Sequence, residues 1–277
     1  MAKRKSESFD AASFFDRNAV VYVRGVDTSD ARPYESDLRF FEFIKKDPLD
    51  GKLLDVGAGS GRFVRLAKST FPDLHITALD PSVTLLNMID DPTIRKVVGK
   101  IPDPPLHPGE KFAFINVADV LHHLVGKTIY ESRNVVIDSL LALKDHLGDS
   151  GFMMITDEQW ETYVVPQATR DLAFFLLSAA SRLGVPFPWF LSPLHSQSVD
   201  GLIVCIYTPA ELERMLKDCG FEIVQSKTYP YPTSAARQYL FKKLTFLKKW
   251  GRIQFIVRKA NAQSALVEHV RRGGRIG

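Results

Sequence analysis

The most informative run of residues in the chain reads Leu53-Leu54-Asp55-Val56-Gly57-Ala58-Gly59-Ser60-Gly61-Arg62-Phe63. An apolar strand pattern ends in an acid, glycine follows at every second position, and a helical pattern begins. Because glycine lacks a Cβ atom, the backbone can turn sharply there and a ligand can lie directly against it. A strand, a glycine loop and a helix N-terminus in this order are typical of a nucleotide-binding site.

Strand and helix patterns alternate along the chain beyond this run. Seven strands are predicted, at Lys52–Val56, His75–Leu79, Lys96–Val98, Phe112–Ala118, Phe152–Thr156, Phe221–Tyr229 and Arg252–Arg258. This alternation indicates the α/β class, with a doubly wound, Rossmann-like, seven-stranded and mostly parallel sheet. We expect an N-terminal helical cap over residues 1–46, a core over 47–158 and 208–260, a helical insertion or lid over 159–207, and a basic tail over 261–277.

Composition narrows the class of protein. The chain has 277 residues, of which 45% are hydrophobic and 25% charged, as is ordinary for a globular protein. Its two cysteines, Cys205 and Cys219, have no CxxC spacing, which argues against a disulfide framework and favours a reducing cytoplasm. The N-terminus does not resemble a secretory signal. Proline, glycine and arginine interrupt the apolar region 172–191, so we predict no membrane span, and no metal site is predicted.

Positive charge is concentrated near the C-terminus, although the formal net charge is only +4. The basic residues there are Lys242, Lys243, Lys248, Lys249, Arg252, Arg258, Lys259, Arg271, Arg272 and Arg275. Such a cluster is suited to nucleic acid or to peripheral contact with an anionic membrane. A solvated basic face is the simpler alternative.

The spacing of the glycines separates two classes of nucleotide. In the dinucleotide fingerprint G-x-G-x-x-G the third glycine would come one residue later than Gly61 does. Asp55 precedes the first glycine by two residues, where a carboxylate would repel a pyrophosphate and would suit a positively charged group. Asp80 follows the next strand, 19 residues after Gly61, at the position expected for an acid that accepts both ribose hydroxyls. A ribose and a cationic group without a phosphate fit S-adenosylmethionine.

Four motifs in order resemble those of class I S-adenosylmethionine-dependent methyltransferases of the small-molecule type. They are the glycine run, Leu79-Asp80-Pro81-Ser82, Val120-Leu121-His122-His123-Leu124, and Leu143–Leu147 with Ser150-Gly151-Phe152 after it. The resemblance extends from about Lys52 to Arg258. It implies in-line transfer of a methyl group from S-adenosylmethionine, with S-adenosylhomocysteine as product.

The resemblance also implies which residues contact the cofactor. They are Asp55, Gly57, Ala58, Gly59, Gly61, Asp80, Pro81, Lys100, Ile101, Val117 and Ala118. The glycines would line the methionine portion, Asp55 would organise the loop and the ammonium group, and Asp80 would hold the ribose. Two positions depart from the family pattern. Lys100 stands where an acid often meets the adenine amine, and Ala113 replaces an aspartate that is common at the start of the fourth strand.

Candidate general bases follow the fourth and fifth predicted strands. His122 and His123 follow one strand and Asp157 follows the other, and the alternative for the histidines is a pocket-lining or capping role. Since adjacent side chains diverge, at most one histidine is expected to face the site. From the N-terminal region, which closes over the cofactor in relatives, Tyr22, Arg24 and Tyr34 are further candidates for contact.

Three functions remain open at the level of sequence. The aromatic, proline-broken insertion favours a methyltransferase for a small lipophilic or aromatic acceptor, although it could also be a helical pair that covers its own core. An RNA or protein methyltransferase would use the basic cluster, but Val117-Ala118-Asp119-Val120 stands where amino-directed relatives carry Asn/Asp-Pro-Pro-aromatic. The third possibility is a non-catalytic regulatory protein that binds S-adenosylmethionine. The oligomeric state is left open.

Overall fold

A computed structural model describes residues 11–26, 33–46, 51–163, 166–183, 203–230 and 247–260 of the chain. The described residues form one seven-stranded sheet, with β1 Lys52–Val56, β2 His75–Asp80, β3 Arg95–Val98, β4 Phe112–Ala118, β5 Leu147–Thr162, β6 Phe221–Pro230 and β7 Leu247–Lys259. The strand order is β3-β2-β1-β4-β5-β7-β6. All neighbouring pairs are parallel except those of β7, which lies antiparallel between β5 and β6. The predicted mostly parallel, doubly wound sheet is confirmed.

Helices cover both faces of this sheet. They are α1 Ala11–Val26, α2 Glu35–Lys46, α3 Arg62–Thr70, α4 Val83–Leu86, α5 Ile129–His146, α6 Pro166–Leu183 and α7 Pro209–Asp218, and a 3-10 turn spans Leu121–His123. Because successive side chains of a strand point to opposite faces, Leu53 packs into the buried cluster on the α2 and α3 side, whereas Leu54 packs on the α5 and α7 side. The strand order reverses between β1 and β4, which is where ligands bind in open sheets of this kind.

Strand β5 is longer than the sequence predicts. It continues past Thr156 to Thr162, and residues 157–162 pair with β7. Four residues assigned to the insertion, 159–162, therefore belong to the sheet. The polar run Asp157–Gln159 does not look like a strand in the sequence, because its pairing partner lies about 90 residues further along. The described part of the insertion is α6 and residues 203–207, and the aromatic residues of 184–202 lie outside the described residues.

The predicted start of α7 is confirmed in detail. The Thr208 side chain accepts a hydrogen bond from the Glu211 amide, and the Glu211 carboxylate accepts one from the Thr208 amide, with Pro209 at the first helical position. Arg170 of α6 donates from Nη1 to Oε2 of Glu211 over 2.6 Å. The capping box therefore also attaches α6 to the core.

The described part of the basic cluster is largely neutralised. Lys248 and Lys249 pair with Glu161, and the remaining ion pairs are Arg252–Asp119, Arg258–Glu222 and Lys259–Asp149. The partner acids come from other segments of the chain, so they are invisible in the C-terminal sequence alone. Lys242, Lys243 and the basic residues of 261–277 lie outside the described residues. None of the described helices combines the length and the apolarity needed to cross a membrane.

Two glycines of the first loop provide a matched test of this architecture. Both have positive φ, +85° at Gly61 and +55° at Gly59, and an L-residue pays roughly 1–2 kcal/mol for a left-handed conformation. A Cβ at Gly61 would meet Ile89 at 2.6 Å, whereas nothing lies within 4 Å of one at Gly59. We predict that Gly61→Ala lowers the free energy of unfolding in urea by about 1–3 kcal/mol more than Gly59→Ala. Equal losses would contradict this packing.

Candidate cofactor and active site

A cavity of about 260 Å³ opens at the carboxyl ends of β1, β2 and β4, beside the reversal of strand order. Its walls are formed by Phe15, Val56, Gly57, Gly59, Leu79, Asp80, Pro81, Leu85, Gly99, Lys100, Ile101, Pro102, Asp119, Val120, His123, Leu124, Val125 and Val135. Seven of the residues predicted as site residues are in this set: Gly57, Gly59, Asp80, Pro81, Lys100, Ile101 and His123. The others, Asp55, Ala58, Gly61, Val117, Ala118, His122 and Asp157, lie outside the cavity wall.

The glycine loop is anchored on β2. The amides of Gly57 and Ala58 donate to the Leu79 carbonyl over 2.8 and 3.1 Å. A Cβ at Gly57 would meet Cγ2 of Val120 at 2.4 Å, so glycine is needed there for packing. At Gly59 the space is open and the backbone itself lines the cavity. The loop therefore has one position that a ligand can approach without meeting a side chain.

Asp80 connects this loop to the end of β2. Its Oδ2 accepts the Gly59 amide and its Oδ1 accepts the Ser82 amide, each over 2.8 Å. Burial raises the pKa of Asp80, while the two amide bonds oppose that shift by stabilising the ionised form. Since each carboxylate oxygen can accept more than one hydrogen bond, Asp80 keeps acceptor capacity at the cavity wall.

Asp55 lies beneath the loop rather than in the cavity. It is 2% exposed, and its Oδ1 accepts a hydrogen bond from Nδ2 of Asn116 over 2.6 Å. Its Oδ2 has no partner among the described residues. Burial raises the pKa of Asp55 to about 7, although the bond from Asn116 opposes that rise. Asp55 is placed to support the loop from below, and its predicted link to a ligand ammonium stays a prediction.

An apolar slot lies on the β2–β3 side of the cavity. Leu79, Leu85 and Ile101 supply its side chains, and Lys100 lines it where the family pattern often has an acid. The Gly99 amide donates to the Asp80 carbonyl over 3.1 Å, which holds the loop after β3 against the end of β2. A planar apolar group fits between these walls more readily than a charged one.

The two adjacent histidines diverge, as the sequence predicts. His122 is 3% exposed and its Nδ1 lies 2.5 Å from Oδ1 of Asp157, while the His122 amide donates to Oδ2 over 3.3 Å. Burial alone lowers the pKa of His122, but the charge and the hydrogen bond of Asp157 outweigh it and raise the pKa to about 9. Two of the three predicted catalytic residues therefore pair with each other behind the cavity.

His123 faces the cavity and packs against the N-terminal cap. Its ring centroid lies 4.0 Å from that of His122 and 5.0 Å from that of Phe15 on α1. The neighbouring Asp16 holds α1 in place, because its Oδ1 accepts from the Ser82 hydroxyl over 2.6 Å and from the Thr84 amide over 3.1 Å. The cap therefore reaches the cavity through Phe15. The side chains of Tyr22 and Arg24 lie outside the described residues.

Sequence reasoning missed Asp119, which lines the cavity directly after β4. Its Oδ2 lies 2.5 Å from Nη2 of Arg252 on β7. The predicted contact residue Tyr34 lies behind this pair, with the guanidinium of Arg252 5.3 Å and that of Arg62 4.1 Å from its ring centroid. An acid at the carboxyl end of a parallel strand is a signal that could have identified Asp119.

The family model described as "Methyltransferase domain" matches residues 29–226. Among curated proteins, none matches the chain at a significant level. The chain therefore belongs to the methyltransferase domain family on the strength of a match that covers more than half of its length.

Solved structures share the fold at low sequence identity. A Burkholderia thailandensis 1,6-didemethyltoxoflavin N1-methyltransferase, with its acceptor and S-adenosylhomocysteine bound, has a TM-score of 0.56 at 16% identity, over 94% of this chain and 99% of that one. A Haemonchus contortus phosphoethanolamine N-methyltransferase 2, with S-adenosylmethionine bound, has 0.59 at 13%, over 91% and 60%. A Streptomyces coelicolor geranyl diphosphate C-methyltransferase, with Mg²⁺, geranyl diphosphate and S-adenosylhomocysteine bound, has 0.52 at 12%, over 90% and 85%. The predicted class I methyltransferase fold is confirmed.

The buried pair of His122 and Asp157 predicts an unusual titration. Histidine NMR spectra should show His122 protonated at neutral pH, with a pKa near 9 instead of the ordinary 6.5. Because its folded-state pKa is raised, its contribution to stability is fully present below about pH 6.5 and is lost as the pH rises through about 9. Asp157→Asn should lower the His122 pKa, since burial is then opposed only by the charges of Glu158 and Asp119.

The exposed loop acid Asp73 provides the matched control for this titration. Asp73→Asn should leave the His122 resonance where the wild type has it. A wild-type His122 that titrates at or below its ordinary pKa would contradict the buried ion pair.

Proposed function

We propose that this methyltransferase binds S-adenosylmethionine in the cavity of about 260 Å³ and transfers its methyl group to a small acceptor with an apolar body. The observation that carries the proposal is the convergence of three features on one cavity. These are the open backbone at Gly59, the carboxylate of Asp80 and the apolar slot beside Ile101.

The residues that line the cavity fit this cofactor. Asp80 would accept hydrogen bonds from the ribose hydroxyls, Gly57 and Gly59 would lie against the methionine portion, and Leu79 and Ile101 would enclose the adenine. When bound, S-adenosylmethionine supplies a methyl group that is already activated on a sulfonium. The protein therefore has mainly to orient the acceptor and exclude water, and alignment of two reactants can contribute roughly 7–11 kcal/mol.

His123 is the candidate general base. Of the three predicted catalytic residues, His123 is the one that lines the cavity, where it can take a proton from an acceptor that must lose one. His122 and Asp157 are too deeply buried to touch an acceptor, and they support the turn that carries His123. A base at this position adds roughly 10²–10⁴-fold to the rate where deprotonation is required.

We assign contact with the methyl acceptor to the N-terminal cap and the insertion. Residues 1–46 would close one side through α1 and α2, and α6 with the rest of the insertion after Thr162 would form the lid. Both cysteines are free and buried, which favours the predicted cytoplasmic location. The described basic residues already pair with acids of the chain, which argues against RNA binding by that part of the chain.

The most direct functional test replaces Asp80. In titration calorimetry with S-adenosylhomocysteine, Asp80→Asn should bind about 10–100-fold more weakly, because hydrogen bonds to a charged group contribute roughly 1.5–3 kcal/mol. Asp90→Asn, which changes an exposed acid, should bind as the wild type does. A thermal unfolding curve for each variant shows whether the fold is kept.

Two results would overturn the assignment. They are wild-type protein that does not bind S-adenosylhomocysteine, and folded Asp80→Asn that binds it with unchanged affinity. Salt-sensitive binding of RNA by the full chain would instead favour the nucleic-acid alternative.

A further inference from the structure

Asp119 has a strained backbone at the wall of the cavity. Its φ of 57° makes it the one non-glycine residue of the described chain with positive φ. L-residues visit this region rarely, and such outliers cluster at functional sites. The Asp119 amide donates to the Thr156 carbonyl over 2.8 Å, so the conformation is fixed across the ends of β4 and β5.

The carboxylate of Asp119 is oriented by a charged neighbour. Arg252 pairs with its Oδ2 and is itself only 14% exposed, whereas the Asp119 side chain is 42% exposed. The guanidinium of Arg252 lies over the ring of Tyr34, whose other neighbour, Arg62, is held by Asp37 over 2.8 Å. The ion pair therefore fixes one oxygen of the Asp119 carboxylate. Asp119, the more exposed of the two partners, is the one that lines the cavity.

The two acids of the cavity wall have different surroundings. Asp80 is nearly buried beside the glycine loop, and its carboxylate accepts hydrogen bonds from two backbone amides. Asp119 lines the same cavity, in the stretch of chain that also contributes His123, Leu124 and Val125 to the wall. Once Asp80 is assigned to the cofactor, Asp119 is the carboxylate that remains for a second molecule.

We infer that Asp119 binds the methyl acceptor, and that the acceptor is a small apolar molecule that carries an amine or a hydroxyl group. This inference rests on the proposed function, because it assumes that the cofactor takes the Asp80 end of the cavity. An N–H or O–H group can donate to the ionised Asp119, and a protonated amine gains charge attraction as well. A carboxylate-bearing acceptor would gain no hydrogen bond from Asp119, because two carboxylates can only accept, and Arg252 lies outside the cavity wall.

The test uses three probes with the same apolar body, namely benzylamine, benzyl alcohol and benzoate. Saturation-transfer NMR would measure their binding to the full chain saturated with S-adenosylhomocysteine. We expect benzylamine to bind most tightly, benzyl alcohol next, and benzoate at least about 10-fold more weakly than benzylamine, because hydrogen bonds to charged groups contribute roughly 1.5–3 kcal/mol.

Asp119→Asn is the decisive variant. Asparagine tolerates positive φ, so the backbone at this position is kept. Benzylamine affinity should fall about 10-fold, and calorimetry should show S-adenosylhomocysteine affinity unchanged. Asp103→Asn, at an exposed position in the loop after Ile101, should change neither affinity.

The possible failures are distinguishable. A wild-type chain that does not bind S-adenosylhomocysteine refutes the proposed function itself. If that product binds, the inference about Asp119 is overturned by any of four results: no binding of benzylamine, tighter binding of benzoate, unchanged benzylamine affinity in Asp119→Asn, or loss of S-adenosylhomocysteine affinity in that variant.

Discussion

The site depends on the carboxylate of Asp80, which accepts one backbone amide on each oxygen. One amide comes from Gly59 in the loop after β1, and the other comes from Ser82 at the start of α4. This arrangement draws two loops to the end of β2, and its two amide bonds oppose the rise in pKa that burial causes at Asp80. It also determines where a ligand can lie, because the backbone of Gly59 is open to the cavity directly beside the carboxylate.

The N-terminal helices are attached to the same loops by polar contacts. Asp16 of α1 accepts hydrogen bonds from the Ser82 hydroxyl and the Thr84 amide, and Ser82 is also the residue whose amide Asp80 accepts. Asp37 of α2 pairs with Arg62, the first residue of the helix that follows the glycine loop. Since both helices are held to loops that line the cavity, a ligand that orders these loops should also order α1 and α2.

The sequence predicted the sheet well because buried parallel strands carry near-continuous apolar runs. It failed at β5, where Asp157–Gln159 are polar and are kept in a strand by pairing with the distant β7. The glycine loop was recognisable because its glycines meet local steric demands, as at Gly57 against Val120. Phe15 and the Arg252–Asp119 pair were not recognisable, since each brings together residues far apart in the chain.

Residues that look equivalent in the sequence differ in burial in the structure. His122 and His123 are equivalent as a motif, yet one forms a buried ion pair with Asp157 and the other lines the cavity. Asp55 and Asp80 both lie near the carboxyl ends of the neighbouring parallel strands β1 and β2. Asp55 contacts Asn116 beneath the loop, whereas Asp80 reaches the cavity wall. These differences arise from tertiary packing, and spacing along the chain does not encode them.

We propose above that the cavity beside Asp80 holds the methyl donor. A crystal structure of the full chain with S-adenosylhomocysteine tests it most directly. We expect both ribose hydroxyls to contact the Asp80 carboxylate, the adenine to lie between Leu79 and Ile101, and the sulfur to point toward Asp119 and His123. A ligand bound elsewhere, or one whose ribose makes no contact with Asp80, would contradict it.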